Sequence, residues 1–331
     1  MVQMHSVTKA QVSREQVYDL TRNAFPDCDI AEIRELSEGM FNTAYLITGS
    51  GVLSRGVVLK IGPSGGTKLL TYEKDILKTE IAVCRMLTAA GVPSPEILYA
   101  DDTRRRIPSD YFFMTRIPGI LWKDADPEKL LRCRDRLMHQ LGSIHSRIHS
   151  ITGSWFGYIK EDPRFQFDSW SKAFAAMIGD VCRDGMADGH SLPYGEILAT
   201  VDRHKAYLDE VTEPRLVDFD MWAGNVLLTE QEDGYHISGI IDLERSFFGD
   251  PYADFVSSVM IFDDVRMEEA FLQGYIGDLA FLDSALIRMD LYRLYLTIIM
   301  YVETYRYEDD YAAQAKAQLT VQMNTLLQKL Q

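Results

Sequence analysis

Asp220 and Asn225 are a carboxylate and, five residues later, a carboxamide, within Leu216-Val217-Asp218-Phe219-Asp220-Met221-Trp222-Ala223-Gly224-Asn225-Val226-Leu227-Leu228. That spacing suits phosphoryl transfer, in which the carboxylate accepts a hydroxyl proton and the carboxamide binds a metal ion. Asp and Asn are also common turn residues, so the pair needs partners elsewhere in the chain. Asp242 is one, a carboxylate ending the apolar run Ile240-Ile241 seventeen residues beyond Asn225. A single hairpin would set the two side by side as an oxygen-rich site suited to Mg²⁺. Lys60 is another, inside the apolar run Val57-Val58-Leu59-Lys60-Ile61. Pointing inward it needs an anionic partner, whereas on an edge strand it would reach solvent. Glu80 shares a helix face with Ile76, Val83 and Leu87, so it interrupts a core-facing stripe. A Lys60–Glu80 ion pair satisfies both groups and holds the ammonium ready for nucleotide phosphates. Glu73 lies on nearly the same face and reads as a first-turn surface acid.

These residues need elements to hold them. Ser13-Arg14-Glu15-Gln16 is a capping box opening a helix that Pro26 closes. Strands are expected at Ile33–Leu36, Thr43–Thr48, Val57–Ile61, Ile97–Ala100 and Tyr111–Thr115, with Glu38 to Asn42 turning between the first two. A helix over Tyr72–Ala89 carries Glu80. The leading pair Leu216-Val217 and the trailing Val226-Leu227-Leu228 read as strands bracing the Asp220 loop, and Glu230 to Gly234 as a hairpin turn. Mainly helical patterning follows Pro118-Gly119, which divides the chain into a sheet-rich lobe, residues 1–116, and a helical lobe, residues 117–331.

At 331 residues, with 47% hydrophobic and 25% charged side chains, the chain has the composition of a folded two-lobe protein. Its formal charge of −15 disfavours nucleic acid and anionic membrane as partners and tilts a small substrate toward the cationic or neutral. The four cysteines are widely spaced, with no metal-ligand pattern. Residues 1–6 lack the apolar core of a signal peptide, and no apolar run is as long as a membrane span, which points to the cytoplasm.

His139, His145 and His149 lie on a helix expected over Leu131–Ser150. With no carboxylate or cysteine to complete a zinc site, His149 is better read as a hydrogen-bonding residue beside the Asp220 loop. The stretch from Gly153 to Pro193 reads either as helical core with a solvated loop at Arg183–His190 or as a substrate-binding insertion whose Asp184 and Asp188 hold a cation. Asp250 and Asp254 read as caps of a helix over Tyr252–Ile261.

Taken together, Val57-Val58-Leu59-Lys60, Thr79-Glu80, Phe113 to Gly119, Leu141-Gly142 to His149-Ser150, Asp220 to Asn225 and Ile241-Asp242-Leu243-Glu244 resemble the aminoglycoside phosphotransferase and choline kinase-like group of small-molecule kinases, over residues 30 to 320. The resemblance implies an α+β, bilobal protein-kinase-like fold, with a small antiparallel-sheet N-lobe and a larger, mainly helical C-lobe. It implies transfer from ATP (or GTP) with Mg²⁺ to a hydroxyl of a small molecule. Asp220 would be the base, Asn225 and Asp242 the metal ligands, and Lys60 with Glu80 the phosphate-steadying pair. The backbone at Thr115 and Ile117 would bind the base of the nucleotide. No Walker-type loop suggests another nucleotide scheme, and no Asp-Phe-Gly and Ala-Pro-Glu pair frames a protein-kinase activation segment. One residue departs from the family: Asp218 stands where a histidine usually braces the loop. Asp218 either accepts comparable backbone hydrogen bonds or raises the pKa of Asp220. A second reading, a catalytically silent nucleotide-binding regulatory protein, follows from the same residue.

Overall fold

The computed structural model describes residues 8–331 apart from 38, 40, 259, 260, 278 and 308. The N-terminal stretch 1–6, two residues of the turn expected at 38–42 and part of the helix expected at 252–261 therefore lie outside the described residues. The chain forms two compact units, the first made of residues through 69, 95–117 and 306–308, the second of 70–94, 118–305 and 309–331.

In the first unit, α1 (Arg14–Ala24) opens with the expected capping box: Gln16 N donates to Ser13 Oγ (3.1 Å) and Ser13 N to Gln16 Oε1 (2.9 Å). β1 (Ile30–Leu36), β2 (Thr43–Gly49), β3 (Val57–Ile61), β4 (Ile97–Asp101) and β5 (Tyr111–Thr115) form one antiparallel sheet in the order β1-β2-β3-β5-β4. Alternation along β3 turns Val57, Leu59 and Ile61 into a core with Val17, Leu20, Ile47 and Phe113. β3 lies between β2 and β5, so Lys60 is on a central strand and the edge-strand alternative falls away.

The helix carrying Glu80 groups with the second unit. Its lead-in is tied down there: Thr71 N and Oγ1 donate to the two oxygens of Asp184 (2.6 and 2.9 Å). Lys160 Nζ donates to the carbonyls of Thr71, Tyr72 and Lys74 (3.2, 2.9 and 2.7 Å), and Thr79 Oγ1 to that of Ile159 (3.0 Å). The helix α2 spans Ile76–Ala89, because Asp75 takes a left-handed conformation (φ 58°) and breaks it from a 3₁₀ turn at Thr71–Glu73. Glu73 is accordingly not an exposed first-turn acid. It is buried, and its Oε2 accepts from Leu70 N (2.8 Å).

The rest of this unit runs β6 (Ile120–Leu121), α3 (Pro127–Arg132), α4 (Arg134–His149), β7 (Gly157–Tyr158), α5 (Trp170–Ala187), α6 (Tyr194–Arg203), α7 (Lys205–Leu208), β8 (Arg215–Val217), β9 (Val226–Gln231), β10 (Gly234–Ile240), β11 (Phe247–Gly249), α8 (Asp254–Ser257), α9 (Glu269–Gly274), α10 (Asp283–Val302) and α11 (Asp309–Lys329). Helical spacing continues past Arg183, with Val181, Cys182 and Gly185 buried, so α5 replaces most of the loop expected at 183–190. Two three-stranded sheets, β10-β9-β6 and β7-β11-β8, support the Asp220 loop. β8 leads into it from one sheet and β9 leaves it in the other. The loop is therefore anchored to two separate ladders rather than to one hairpin.

Candidate active site

The loop begins with a strained residue. Phe219 has φ 62°, an unfavourable conformation for a bulky side chain. Asp254 holds it there: its Oδ1 accepts from Phe219 N (2.6 Å) and its Oδ2 from Asp218 N (3.2 Å). His149 Nε2 donates to the same Oδ2 (2.8 Å), and Tyr275 OH lies 2.9 Å from His149 Nδ1. An aspartate carboxylate can only accept, so a proton sits on Nε2. Burial pushes the Asp254 carboxyl up, but the His149 hydrogen bond and charge outweigh it and hold the group below the usual range. The Phe219 ring stacks on Tyr295 (5.6 Å between centroids) and tilts against Phe247 (5.3 Å). His149 thus takes the bracing position expected beside the loop. Asp254, expected to cap a helix, grips the loop instead, while Asp250 does cap, accepting from Tyr252 N (3.2 Å).

Beyond Phe219, Asn225 Nδ2 donates to both the carbonyl oxygen and Oδ2 of Asp220 (2.9 Å each). This turns Asn225 Oδ1 away from Asp220. The β9–β10 hairpin closes next to it, with Ile240 opposite Val226 and Ile241 N donating to Asn225 O (2.9 Å). Asp242 follows immediately in a left-handed conformation (φ 66°). The hairpin therefore brings Asn225 and Asp242 together as their spacing predicts. Carboxylate oxygens of Glu80, Asp242 and Glu244 all lie within 4.8 Å of one another, with Glu80 and Glu244 buried. The donors here are oxygens only, with no histidine or cysteine. That set fits a hard cation such as Mg²⁺ rather than a softer metal. Glu244 was not identified as a candidate from the sequence, although a second charged residue two positions after Asp242 was a visible signal.

Asp220 is partly exposed, and its carboxyl is raised to about 7. Burial is the main cause; Arg245 opposes it, and the carboxylates of Asp242, Glu244 and Glu303 add to it. Such a group is a proton acceptor matched to neutral pH. Arg245 Nη2 donates to both oxygens of Glu303 (2.9 and 3.1 Å), and its guanidinium lies 5.7 Å from the centre of the Tyr72 ring. Tyr72 OH donates to Glu303 as well. Asp218 is buried, and burial followed by the charges of Asp254, Asp220, Asp242 and Glu80 pushes its carboxyl well above the usual range. Its Oδ1 has no hydrogen-bond partner among the described residues. The backbone hydrogen bonds considered for Asp218 go to Asp254 instead, and Asp242, Glu244 and Glu303 raise Asp220 against Arg245.

In the first unit, Lys60 is only 8% exposed. Thr115 N already donates to Glu96 O (2.9 Å), and Thr115 Oγ1 accepts from Glu96 N (2.9 Å). Among the described residues, the N–H and carbonyl of Ile117 carry no hydrogen bond, which leaves Ile117 the more available of the two backbone positions. The Asp184 carboxylate, a candidate for holding a cation, is committed to Thr71 through both oxygens. Among the described residues, no helix is long and apolar enough to cross a membrane.

A family model described as "Phosphotransferase enzyme family" matches residues 32–284, so the chain belongs to that family. Solved structures of similar fold include a protein assigned as a fructosamine-3-kinase from Thermobifida fusca, 16% identical, with a TM-score of 0.69 over 96% of this chain and 100% of that one. An aminoglycoside phosphotransferase APH(4)-Ia variant with AMP-PNP and hygromycin B is 17% identical, with a TM-score of 0.63 over 95% and 98% of the two chains. The GDP complex of aminoglycoside 2'-phosphotransferase-IIIa is 15% identical, with a TM-score of 0.64 over 95% and 99%. At these identities the likeness is one of fold, the protein-kinase-like fold that these enzymes share. A curated relative, acyl-CoA dehydrogenase family member 10 of Mus musculus, is 25% identical over 241 residues, which make up 70% of this chain and 20% of the mouse protein.

Proposed function

We propose that this protein transfers the γ-phosphoryl group of ATP (or GTP) to a hydroxyl of a small molecule, with Asp220 as the base. The observation that carries this reading is the Asp220–Asn225 hydrogen bond set against the oxygen cluster around Asp242, within a loop that Asp254 holds in a strained conformation. The acceptor hydroxyl oxygen bonds to the γ-phosphorus, the bond from that phosphorus to the β–γ bridging oxygen breaks, and the hydroxyl proton passes to Asp220. Asn225 Oδ1 and Asp242 would hold Mg²⁺, which when bound neutralises charge on the phosphates. Lys60 supplies a buried ammonium for the phosphates, with Glu80 its counter-charge, and the backbone at Ile117, with Thr115 beside it, receives the nucleotide base. Neighbours of the same fold crystallised with AMP-PNP or GDP support a nucleoside triphosphate as donor.

The test is a panel of hydroxyl compounds with ATP or GTP and Mg²⁺, read by nucleoside diphosphate release and product mass. A phosphorylated product is expected. Mg-nucleotide binding with no product across the panel would favour the silent, regulatory reading that Asp218 prompts. Lys60→Ala is expected to raise the KM for nucleotide by about 10- to 100-fold through loss of a charge-assisted contact. An unchanged KM and kcat would remove Lys60 from the site.

A further inference from the structure

Lys160 commits all three donors of its ammonium to one short segment. Nζ donates to the carbonyls of Thr71, Tyr72 and Lys74 (3.2, 2.9 and 2.7 Å), in the lead-in to α2. The rings of Phe165 and Tyr158 lie against the ammonium, 4.8 and 5.3 Å from it to their centres. The backbone of Lys160 is fixed as well: its N–H donates to Tyr158 O, and Gln166 Nε2 donates to its carbonyl (2.9 Å each). The left-handed Asp75 separates the lead-in from α2, so the ladder of the helix does not hold it. What the segment carries is Tyr72. Its hydroxyl donates to Glu303, and the guanidinium of Arg245, paired with Glu303, lies 5.7 Å from its ring centre. Arg245 and Glu303 act in turn on the Asp220 carboxyl, with opposite signs. One run of contacts therefore leads from Lys160, through Tyr72 and the Arg245–Glu303 pair, to the field at Asp220.

We propose that Lys160 is a positioning residue for phosphoryl transfer: its ammonium fixes the backbone at Tyr72, and Tyr72 fixes the Arg245–Glu303 pair that acts on the base. This rests on the kinase reading above. The clasp needs the charged form, because a neutral amine has two donors for three carbonyls. Around the ammonium stand Asp75, Glu73 and Lys74 of the lead-in, Asp180 of α5 and Asp162 of its own loop. Burial outweighs the acids among these and lowers Lys160 to about 8. Stability runs the other way. Between about 8 and 10.5 the folded chain has released this proton and the unfolded chain has not, so folding gains stability through Lys160 as pH rises. A fall in kcat across that window is therefore not unfolding driven by this group.

The experiment is the pH dependence of kcat on the full chain, with saturating ATP, Mg²⁺ and the best hydroxyl compound of the panel above. Wild type is compared with Lys160→Arg, which keeps its charge at alkaline pH. Titration of the nucleotide or acceptor cancels in the ratio of the two rates. That ratio is expected to fall by about 10- to 100-fold as pH rises through about 8, the scale of a catalytic group displaced by a fraction of an ångström to an ångström. Lys160→Met should lower kcat at neutral pH to the level that wild type reaches at alkaline pH. Tyr72→Phe removes the hydroxyl to Glu303 but leaves the three carbonyls, so its loss in kcat and that of Lys160→Met should not add in the double variant. If Lys160→Met fails to fold, the wild-type and Lys160→Arg profiles decide alone. A ratio that stays constant through pH 8 would overturn the inference, as would losses that add fully in the double variant. Either result leaves turnover, and so the kinase reading, intact. No turnover by the wild type at any pH would sink the kinase reading and this role with it.

Discussion

Asp220 and Asp250 are carboxylates of the same unit, and they are surrounded in opposite ways. Asp250 is 2% exposed and fully satisfied: Tyr252 N donates to Oδ1 (3.2 Å), and Arg288 Nε and Tyr292 OH to Oδ2 (2.8 and 2.7 Å). Trp170 Nε1 donates in turn to Tyr292 OH (2.7 Å), so the network ends in the aromatic core. Asp220 has Asn225 on one oxygen, the carboxylates of Asp242, Glu244 and Glu303 close by, and Arg245, itself shared with Glu303, as the opposing cation. Burying a paired acid anchors the fold. Burying like charges together raises the energy of the folded state, and it persists where it serves chemistry.

Replacing each residue separates the two roles. Asp220→Asn should lower turnover by about 1000-fold or more, since the proton acceptor is gone, while nucleotide affinity stays within about two-fold. Equal turnover would remove Asp220 as base. The same change relieves repulsion among neighbouring carboxylates, so chemical denaturation should find the variant at least as stable as the wild type. Asp250→Ala should do the reverse and destabilise by about 3 kcal/mol, because it strands buried Arg288, whose remaining ion-pair partner is the half-exposed Glu210, beside a long hydrogen bond to Tyr207 O. A loss of activity without a loss of stability in that variant would break the comparison.

Asp254 stands between these cases, a structural carboxylate that acts on the catalytic one. Asp254→Asn keeps the size but turns an amide donor toward one of three groups that already donate: Asp218 N, Phe219 N or His149 Nε2. A kcat about 10-fold lower, with the nucleotide KM unchanged, is expected if the strained loop shifts. Wild-type kcat would instead place the loop's stability elsewhere.

The remaining expected effect is one of pH. An Asp220 carboxyl raised from 3.8 to about 7 is protonated and inactive as a base below that value, so kcat/KM should fall as pH drops below about 7. For stability the sign is the reverse. Below 3.8 the group is protonated in both folded and unfolded chains and adds nothing. As pH rises toward 7 the unfolded chain ionises first, and folding loses stability across that window. Asp220→Asn should therefore gain on the wild type between about pH 4 and 7. A constant difference between the two stability curves would show that the group is not raised.

Several features were legible from local pattern alone. β3 and β5 have the expected limits because short, near-continuous apolar runs and the breakers around them specify a strand without knowledge of its neighbours. The hairpin that sets Asn225 against Ile241, one residue before Asp242, follows from the spacing and a turn at its middle. Boundaries were less legible where one residue departs from the periodicity. Asp75 in its left-handed conformation shortens α2, and burial of Glu73 depends on a contact with Leu70 that no periodicity encodes.

By itself, the sequence determined the antiparallel sheet and the hairpin that follows Asn225, because these follow from periodicity and short separations. Only the tertiary structure decided that Asp254 holds the loop from 35 residues away and that Arg245 pairs with Glu303 across 58. The physical reason is the range of the interactions. Backbone periodicity is local, whereas desolvation and ion pairing depend on which distant side chains packing brings within a few ångströms.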